Sequence, residues 1–258
     1  MDLGLSGRTA LVTGASKGIG LATVRALVAE GVKVAAVSRT TNADLADTGA
    51  LVFTADLSTA DGVLAGIGGA LEAVGDLDIL VNNAGGGSVD HLGSFLQLTD
   101  NSWNAGFDLN FFAAVRTIRL ALPGLLRTKG NVVNVSSVGA RMPGTAPMNY
   151  TTAKAALNAL GKALNEEFGP QGVRVNTVTP GPTRTYLWEG PVGAAIAASQ
   201  GVGQDTLIDA MPAESGMTTG RLVEPAEIAE LITFLVSAKG ASIAGAEYIM
   251  DGGSLKAV

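Results

Sequence analysis

The 258-residue chain contains no cysteine, which excludes disulfides, thiolate metal centres and cysteine nucleophiles. Its one histidine, His91, cannot build a histidine-rich metal site. A Ser-His-Asp relay through it would need a nucleophile elbow that the sequence does not contain. No metal is expected, and His91 is read as a loop residue near the mouth of the site. Charge is also scarce: 16% of residues, with 17 Lys and Arg against 23 Asp and Glu and a formal net charge of -6. No broad basic face for nucleic acid or anionic membrane is expected, although local cations can still meet one phosphate. The carboxylates fall on predicted helix surfaces and turns, as a solvated face rather than a paired acid and base. No apolar run approaches the length of a membrane span, and the opening MDLGLSGRTALVTG lacks a basic segment, long apolar run and cleavage site. A cytoplasmic protein is expected. Internal repeats, low-complexity tracts and interdomain linkers are absent as well, so one domain is expected over 1–258.

What is present is a large apolar fraction, 47%, and 35 glycines, the composition of a compact fold with a large core. β-Branched apolar runs at 8–13, 32–38, 50–54, 77–82, 131–136, 173–178 and 246–250 read as strands. Helical patterns lie between them near 18–30, 59–74, 100–127, 149–168 and 225–237. This alternation predicts an α/β fold, a doubly wound parallel sheet with helices on both faces. Two segments break the rhythm. Residues 39–50 leave room for a very short helix at most, being near the lower limit for a parallel crossover. Residues 185–220, rich in Gly, Ala, Pro and Ser, read as a long loop, either a substrate lid or a poorly packed insertion.

Gly14, Gly18 and Gly20 stand between the first strand and the first helix. Glycines there allow a tight turn and close approach of a phosphate to backbone amides, at the positive end of a helix. The spacing is neither G-x-G-x-x-G nor a P-loop, so alone it says little. Tyr150 and Lys154 are four apart and share a helix face, which would let the ammonium favour the phenolate and bring a group of pKa about 10 into working range. Alone, such a pair is ordinarily solvated. Ser137 lies thirteen residues before Tyr150, and Ser136 and Ser137 could equally close a strand.

Taken together, TGASKGIG at 13–20, NNAG at 82–85, Asn110, Ser137, Tyr150 with Lys154, and PGPTRT at 180–185 make the chain similar to the short-chain dehydrogenase/reductase family over essentially its whole length. The resemblance implies one Rossmann-like domain with a seven-stranded parallel sheet that binds a nicotinamide dinucleotide. It implies Tyr150 as proton donor in reduction and base in oxidation, and Ser137 as a hydrogen-bond donor to the carbonyl oxygen. Lys154 would lower the tyrosine pKa and bind the nicotinamide ribose, and Asn110 would hold a proton-relay water. Cofactor contacts are expected from Gly14, Ser16, Lys17, Gly18, Ile19 and Gly20 in the turn. Asp56 and Leu57 are expected beside the adenine, and Asn83, Ala84 and Gly85 beside the adenosine ribose. Pro180, Gly181, Thr183 and Thr185 are expected toward the nicotinamide end. Where NAD sites of such folds place an acid after the second strand, this chain reads Ser38, Arg39, Thr40. With Arg39 and Lys17 available for a 2′-phosphate, NADP(H) is expected over NAD(H).

The expected partner is a small carbonyl or alcohol substrate. Its pocket is drawn from 139–148, 86–92, Tyr186 and Trp188, whose apolar content favours an uncharged or weakly polar ketone. A 3-oxoacyl thioester is the rival substrate. A catalytically silent dinucleotide sensor is the rival class, and it would have no need of the Ser, Tyr, Lys and Asn set. The resemblance further implies a homotetramer through helices 100–127 and 149–168, with a dimer next.

Overall fold

Seven strands, β1 (Thr9–Thr13), β2 (Lys33–Ser38), β3 (Leu51–Thr54), β4 (Ile79–Asn82), β5 (Asn131–Val135), β6 (Arg174–Pro180) and β7 (Glu247–Met250), form one parallel sheet in the order β3-β2-β1-β4-β5-β6-β7. The computed structural model describes residues 2–87 and 94–256. The strands are apolar on both sides because helices cover both faces. Along β1, Ala10 and Val12 enter one core and Leu11 the other, the period-two alternation of a strand buried twice. Register pairs Thr13 with Val37, Val12 with Val81, Ser38 with Thr54 and Asn82 with Asn134. The segments that follow these strands therefore emerge along one edge of the sheet. The chain winds outward from β1 to β3, then returns to the other side of β1 as β4. The crevice between those two strand ends is where such sheets bind ligands.

On one face, α1 (Gly18–Ala29) packs against α10 (Pro225–Val236), burying Val24 and Leu27 against Ile228, Ile232 and Leu235. Each such side chain contributes roughly 1.5–3 kcal/mol of burial. The other face carries α3 (Ala60–Val74), α5 (Ala113–Thr128) and α6 (Met148–Phe168). The predicted helix 100–127 is α4 (Asp100–Phe107), a π-helical turn (Asp108–Phe112) and α5 in continuous succession. Contrary to the sequence expectation, this stretch does reach the length and apolar composition of a membrane span. Its apolar character serves the sheet instead, since Ile118, Ala121 and Leu125 belong to the core beneath α3.

Residues 39–50 hold α2 (Ala43–Ala46), one four-residue turn capped by Asn42, as the short connection requires. The long loop expected over 185–220 is instead mostly helical: α7 (Tyr186–Glu189), α8 (Pro191–Ser199) and α9 (Gln204–Glu214). Gly, Ala and Pro masked the helical signal. Leu207, Ile208 and Met211 nevertheless recur on one face, and Ile208 and Met211 extend the core of α1 and α10.

Candidate active site

The glycine turn after β1 is built to be approached closely. Gly14 takes φ +65°, and a Cβ there would lie 2.9 Å from Ala84 Cα; at Gly20 a Cβ would fall 2.2 Å from the Gly14 carbonyl oxygen. The β4 end closes on the same turn. Thr13 Oγ1 accepts from the backbone N–H groups of Asn83 and Ala84 at 3.0 Å, and Asn83 Nδ2 donates to the carbonyls of Thr13 and Gly14 at 3.1 and 3.0 Å. Asn83 thus ties the turn to β4 through its side chain. Ile19 lies at the start of α1, partly buried against the core, and leaves the α1 N-terminus facing the crevice. The Ser16 carbonyl accepts from Asn42 Nδ2 at 2.9 Å, so the short α2 connection braces the turn from the β2 side. Asn42 escaped the sequence reading, although its place before a four-residue helix was a capping signal.

Lys17, Arg39 and Asp56 meet beyond the ends of β1, β2 and β3. Burial, and then the charge of Arg39, push the Lys17 ammonium below its ordinary value. The Ser58 backbone N–H and then its hydroxyl hold the Asp56 carboxyl down, with a lesser contribution from Arg39. Arg39 and Thr40 are exposed, and the Thr40 carbonyl accepts from Ser38 Oγ at 2.8 Å. Leu57 differs from its neighbours, with a side chain 3% exposed in the core under α3. The corner is cationic and open, a shape that suits a phosphate on a ribose.

Ser137, Tyr150 and Lys154 converge across the ends of β4 and β5. The Ser136 hydroxyl is directed inward to the Lys154 carbonyl at 3.3 Å, whereas Ser137 lies beside Tyr150. Burial pushes the Tyr150 phenol above its ordinary value, and the neighbouring Ser137 hydroxyl offsets this only in part. The depression of Tyr150 expected from Lys154 is therefore not what the structure shows. Lys154 Nζ stands 5.9 Å from the Tyr150 ring centroid and donates to the Val135 carbonyl at 2.9 Å. Buried at 3% exposure, it is itself pushed down to about 8 by desolvation. Gly85 fits between Lys154 and Asn110, where a Cβ would lie 2.9 Å from both Lys154 Nζ and Asn110 Oδ1.

Asn110 sits in the π-helical turn with its amide engaged. Oδ1 accepts from Gly86 N–H at 2.9 Å, and Nδ2 donates to the carbonyls of Gly86 and Gly106 at 3.0 and 2.9 Å. A π-turn commonly marks a functional position, and here it sets the asparagine against the strand that ends in NNAG. Asn149, which the sequence reading passed over, anchors the start of α6 by donating to the Ser102 carbonyl at 2.8 Å and accepting from Tyr150 N–H at 3.0 Å.

The PGPTRT segment closes the far side. Gly181, after buried Pro180, packs so closely on Asp251 that a Cβ would stand 2.6 Å from its Cα. Thr183 donates to the Gly181 carbonyl at 2.8 Å and pairs with Val223 as an isolated bridge. Thr185 rests on the glycine turn, 3.2 Å from where a Gly18 Cβ would be. Of the expected pocket residues, Tyr186 is exposed, but Trp188 packs partly against the core of α1 and α10. His91 and positions 88–92 of the expected 86–92 wall lie outside the described residues. Among the described residues, no group of three or more His, Cys, Asp or Glu could hold a metal.

Comparison with known proteins agrees with this geometry. A family model described as short chain dehydrogenase matches residues 8–191. L-xylulose reductase of Bos taurus is 36% identical over 262 aligned residues, covering 99% of each chain. D-erythrulose reductase of Gallus gallus is 34% identical, covering 98% of each. The crystal structure of L-sorbose reductase from Gluconobacter frateurii, complexed with NADPH and L-sorbose, superposes with a TM-score of 0.91 at 30% identity over all of both chains. With its seven-stranded Rossmann-like sheet and this match, the chain belongs to the short-chain dehydrogenase/reductase family, oxidoreductases that act on CH–OH and C=O groups with a nicotinamide cofactor.

Proposed function

We propose that this enzyme is an NADP(H)-dependent reductase of small uncharged ketones, with ketoses as the substrate class. The observation that carries the reading is the convergence of Ser137, Tyr150 and Lys154 on one crevice whose opposite corner holds Lys17 and Arg39. The xylulose, erythrulose and sorbose named in the relatives favour a hydroxylated ketone over a 3-oxoacyl thioester, and the complete Ser, Tyr, Lys and Asn set argues against a silent sensor.

The nicotinamide would supply the hydride to the carbonyl carbon. Tyr150, kept protonated by its burial, gives its proton to the developing alkoxide. Ser137 donates a preorganised hydrogen bond to the same oxygen. Lys154, held by the Val135 carbonyl, sets the electrostatics around Tyr150 and faces the ribose. Asn110 acts as a positioning residue that fixes Gly86 at the crevice wall. Lys17 and Arg39 receive the 2′-phosphate, with Asp56 as a nearby counter-charge, while Gly14, Gly18 and Gly20 admit the pyrophosphate to the α1 N-terminus. Pro180, Gly181, Thr183 and Thr185 line the nicotinamide side, and α7 to α9 serve as the substrate lid.

The same reading includes a homotetramer. Support comes from the apolar exposure of Phe112 at the head of α5 (41%) and Met148 at the head of α6 (43%). A monomeric mass in light scattering would reject it. The reaction is tested by following NADPH and NADH oxidation with xylulose, sorbose, erythrulose and 3-oxoacyl thioesters. Turnover of ketoses with NADPH, lost in Tyr150→Phe, is expected; turnover confined to thioesters, or undiminished in Tyr150→Phe, would overturn the proposal.

A further inference from the structure

The first residue of the helical excursion reaches back to the glycine turn. Tyr186, at the start of α7, lays its ring over Lys17, whose Nζ stands 3.5 Å from the ring centroid. This is well inside the ~6 Å over which a ring quadrupole attracts a cation. The preceding residue is seated on the same turn, because Thr185 Cγ2 lies 3.2 Å from the position of a Gly18 Cβ. Lys17 also feels Arg39, whose positive charge, after burial, disfavours the ammonium. A lysine stem has four methylenes and ample freedom to swing a repelled ammonium into water. The negative face of Tyr186 offsets that repulsion and restrains the stem.

Resting on the NADP(H) reading above, we propose that Tyr186 is a specificity-determining positioning residue, holding the Lys17 ammonium beside Arg39 so that the pair meets the 2′-phosphate of the cofactor. The ring holds the ammonium that the phosphate would also engage. Tyr186 also begins the excursion whose next turns are tied together, since Gln204 Nε2 donates to the carbonyls of Trp188 and Gly190 at 2.6 and 3.0 Å. Occupancy of the phosphate corner and the placement of α7 to α9 are therefore coupled through Lys17, and the coupling is reciprocal.

The test is binding without turnover. Calorimetry would give dissociation constants for adenosine 2′,5′-bisphosphate against AMP, and for NADPH against NADH, in the wild type, Tyr186→Phe, Tyr186→Leu, Lys17→Ala and the Lys17→Ala/Tyr186→Leu double variant. The expected result is a fall of about two- to fivefold in the phosphate preference in Tyr186→Leu, the range of a partly exposed cation–π contact. Tyr186→Phe should keep the preference, because the ring face remains. In the Lys17→Ala background, Tyr186→Leu should change nothing further. A preference that falls in Lys17→Ala but not in Tyr186→Leu would overturn the inference alone. An equal loss for AMP and the bisphosphate would also overturn it, as that is the mark of general loosening of α7. A preference unchanged in Lys17→Ala would overturn the phosphate role of Lys17, and this inference with it.

Discussion

Replacing Lys154 with Met should inactivate the enzyme and yet stabilise it near neutral pH. The buried ammonium is pushed from 10.5 down to about 8, which at 1.36 kcal/mol per pKa unit corresponds to roughly 3 kcal/mol against the charged folded state. Met removes that cost, and it also removes the hydrogen bond to Val135 O, worth about 1 kcal/mol. The net gain at pH 7 is about 2 kcal/mol, or roughly 4–8 °C in Tm for a chain of this size. The sign with pH follows from linkage. A depressed folded-state pKa means that the unfolded chain holds the proton more tightly, so wild-type stability rises with pH between about 8 and 10.5 relative to a variant without the group. Below pH 8 the stability difference should be constant; between pH 8 and 10.5 it should shrink and then reverse slightly. Urea midpoints for both proteins at pH 7, 8.5 and 10, at one protein concentration, measure this. A variant less stable than wild type at pH 7, or a difference independent of pH, would refute the reasoning.

Tyr150→Phe should lower kcat by about 10²–10⁴ while cofactor affinity, read by calorimetry, stays near wild type. Because burial raises the Tyr150 phenol, alcohol oxidation should keep increasing as pH rises toward and past 10, whereas carbonyl reduction should be flat through neutrality; pH–rate profiles in both directions decide it. Gly85→Ala places a methyl 2.9 Å from Lys154 Nζ and Asn110 Oδ1, so steady-state kinetics should show at least a tenfold loss of kcat/KM for a melting temperature lowered by only a few degrees. Asn110→Ala removes three hydrogen bonds to Gly86 and Gly106 and should cost about 2–3 kcal/mol in urea unfolding.

The sheet was legible because each strand is a short β-branched run between helical patterns. The parallel topology follows from that alternation and the handedness of crossovers. The excursion at 186–214 was not, because Ala, Gly and Pro dilute the helical period there and only Leu207, Ile208 and Met211 preserve it. The π-turn was hidden for another reason: one extra residue in a helix leaves composition unchanged, and only the backbone hydrogen-bond pattern over Asp108–Phe112 reveals it. At the site, motif spacing pointed to the residues that meet in the crevice, but it misjudged Tyr150. Reading Lys154 as a cation four residues away treats both groups as surrounded by water. Desolvation acts on both, and it raises the phenol while lowering the ammonium. What the side chains of Asn83 and Leu57 do within the fold was not legible from the motifs: one fastens backbone and the other fills the core.

The strand order also has a consequence for how the protein is made. A ribosome releases β1, β2 and β3 first, and they form one flank in which the outer edge of β1 waits unpaired. Every later strand, β4 through β7, then joins the edge left by the strand synthesised just before it, except β4, which returns to β1. Growth is therefore by template on one side only: β3 stays an edge throughout, while on the other side each exposed strand is covered by the next to emerge, until β7. Ser137 is laid down before β6 exists, and α6, bearing Tyr150 and Lys154, docks against β6 only when residues 174–180 appear. A nascent chain stopped short of β6 would hold the helix bearing Tyr150 and Lys154 through α4, the π-turn and the end of β5, and would display β5 as a sticky border, the stage at which a slow ribosome or a chaperone would matter most.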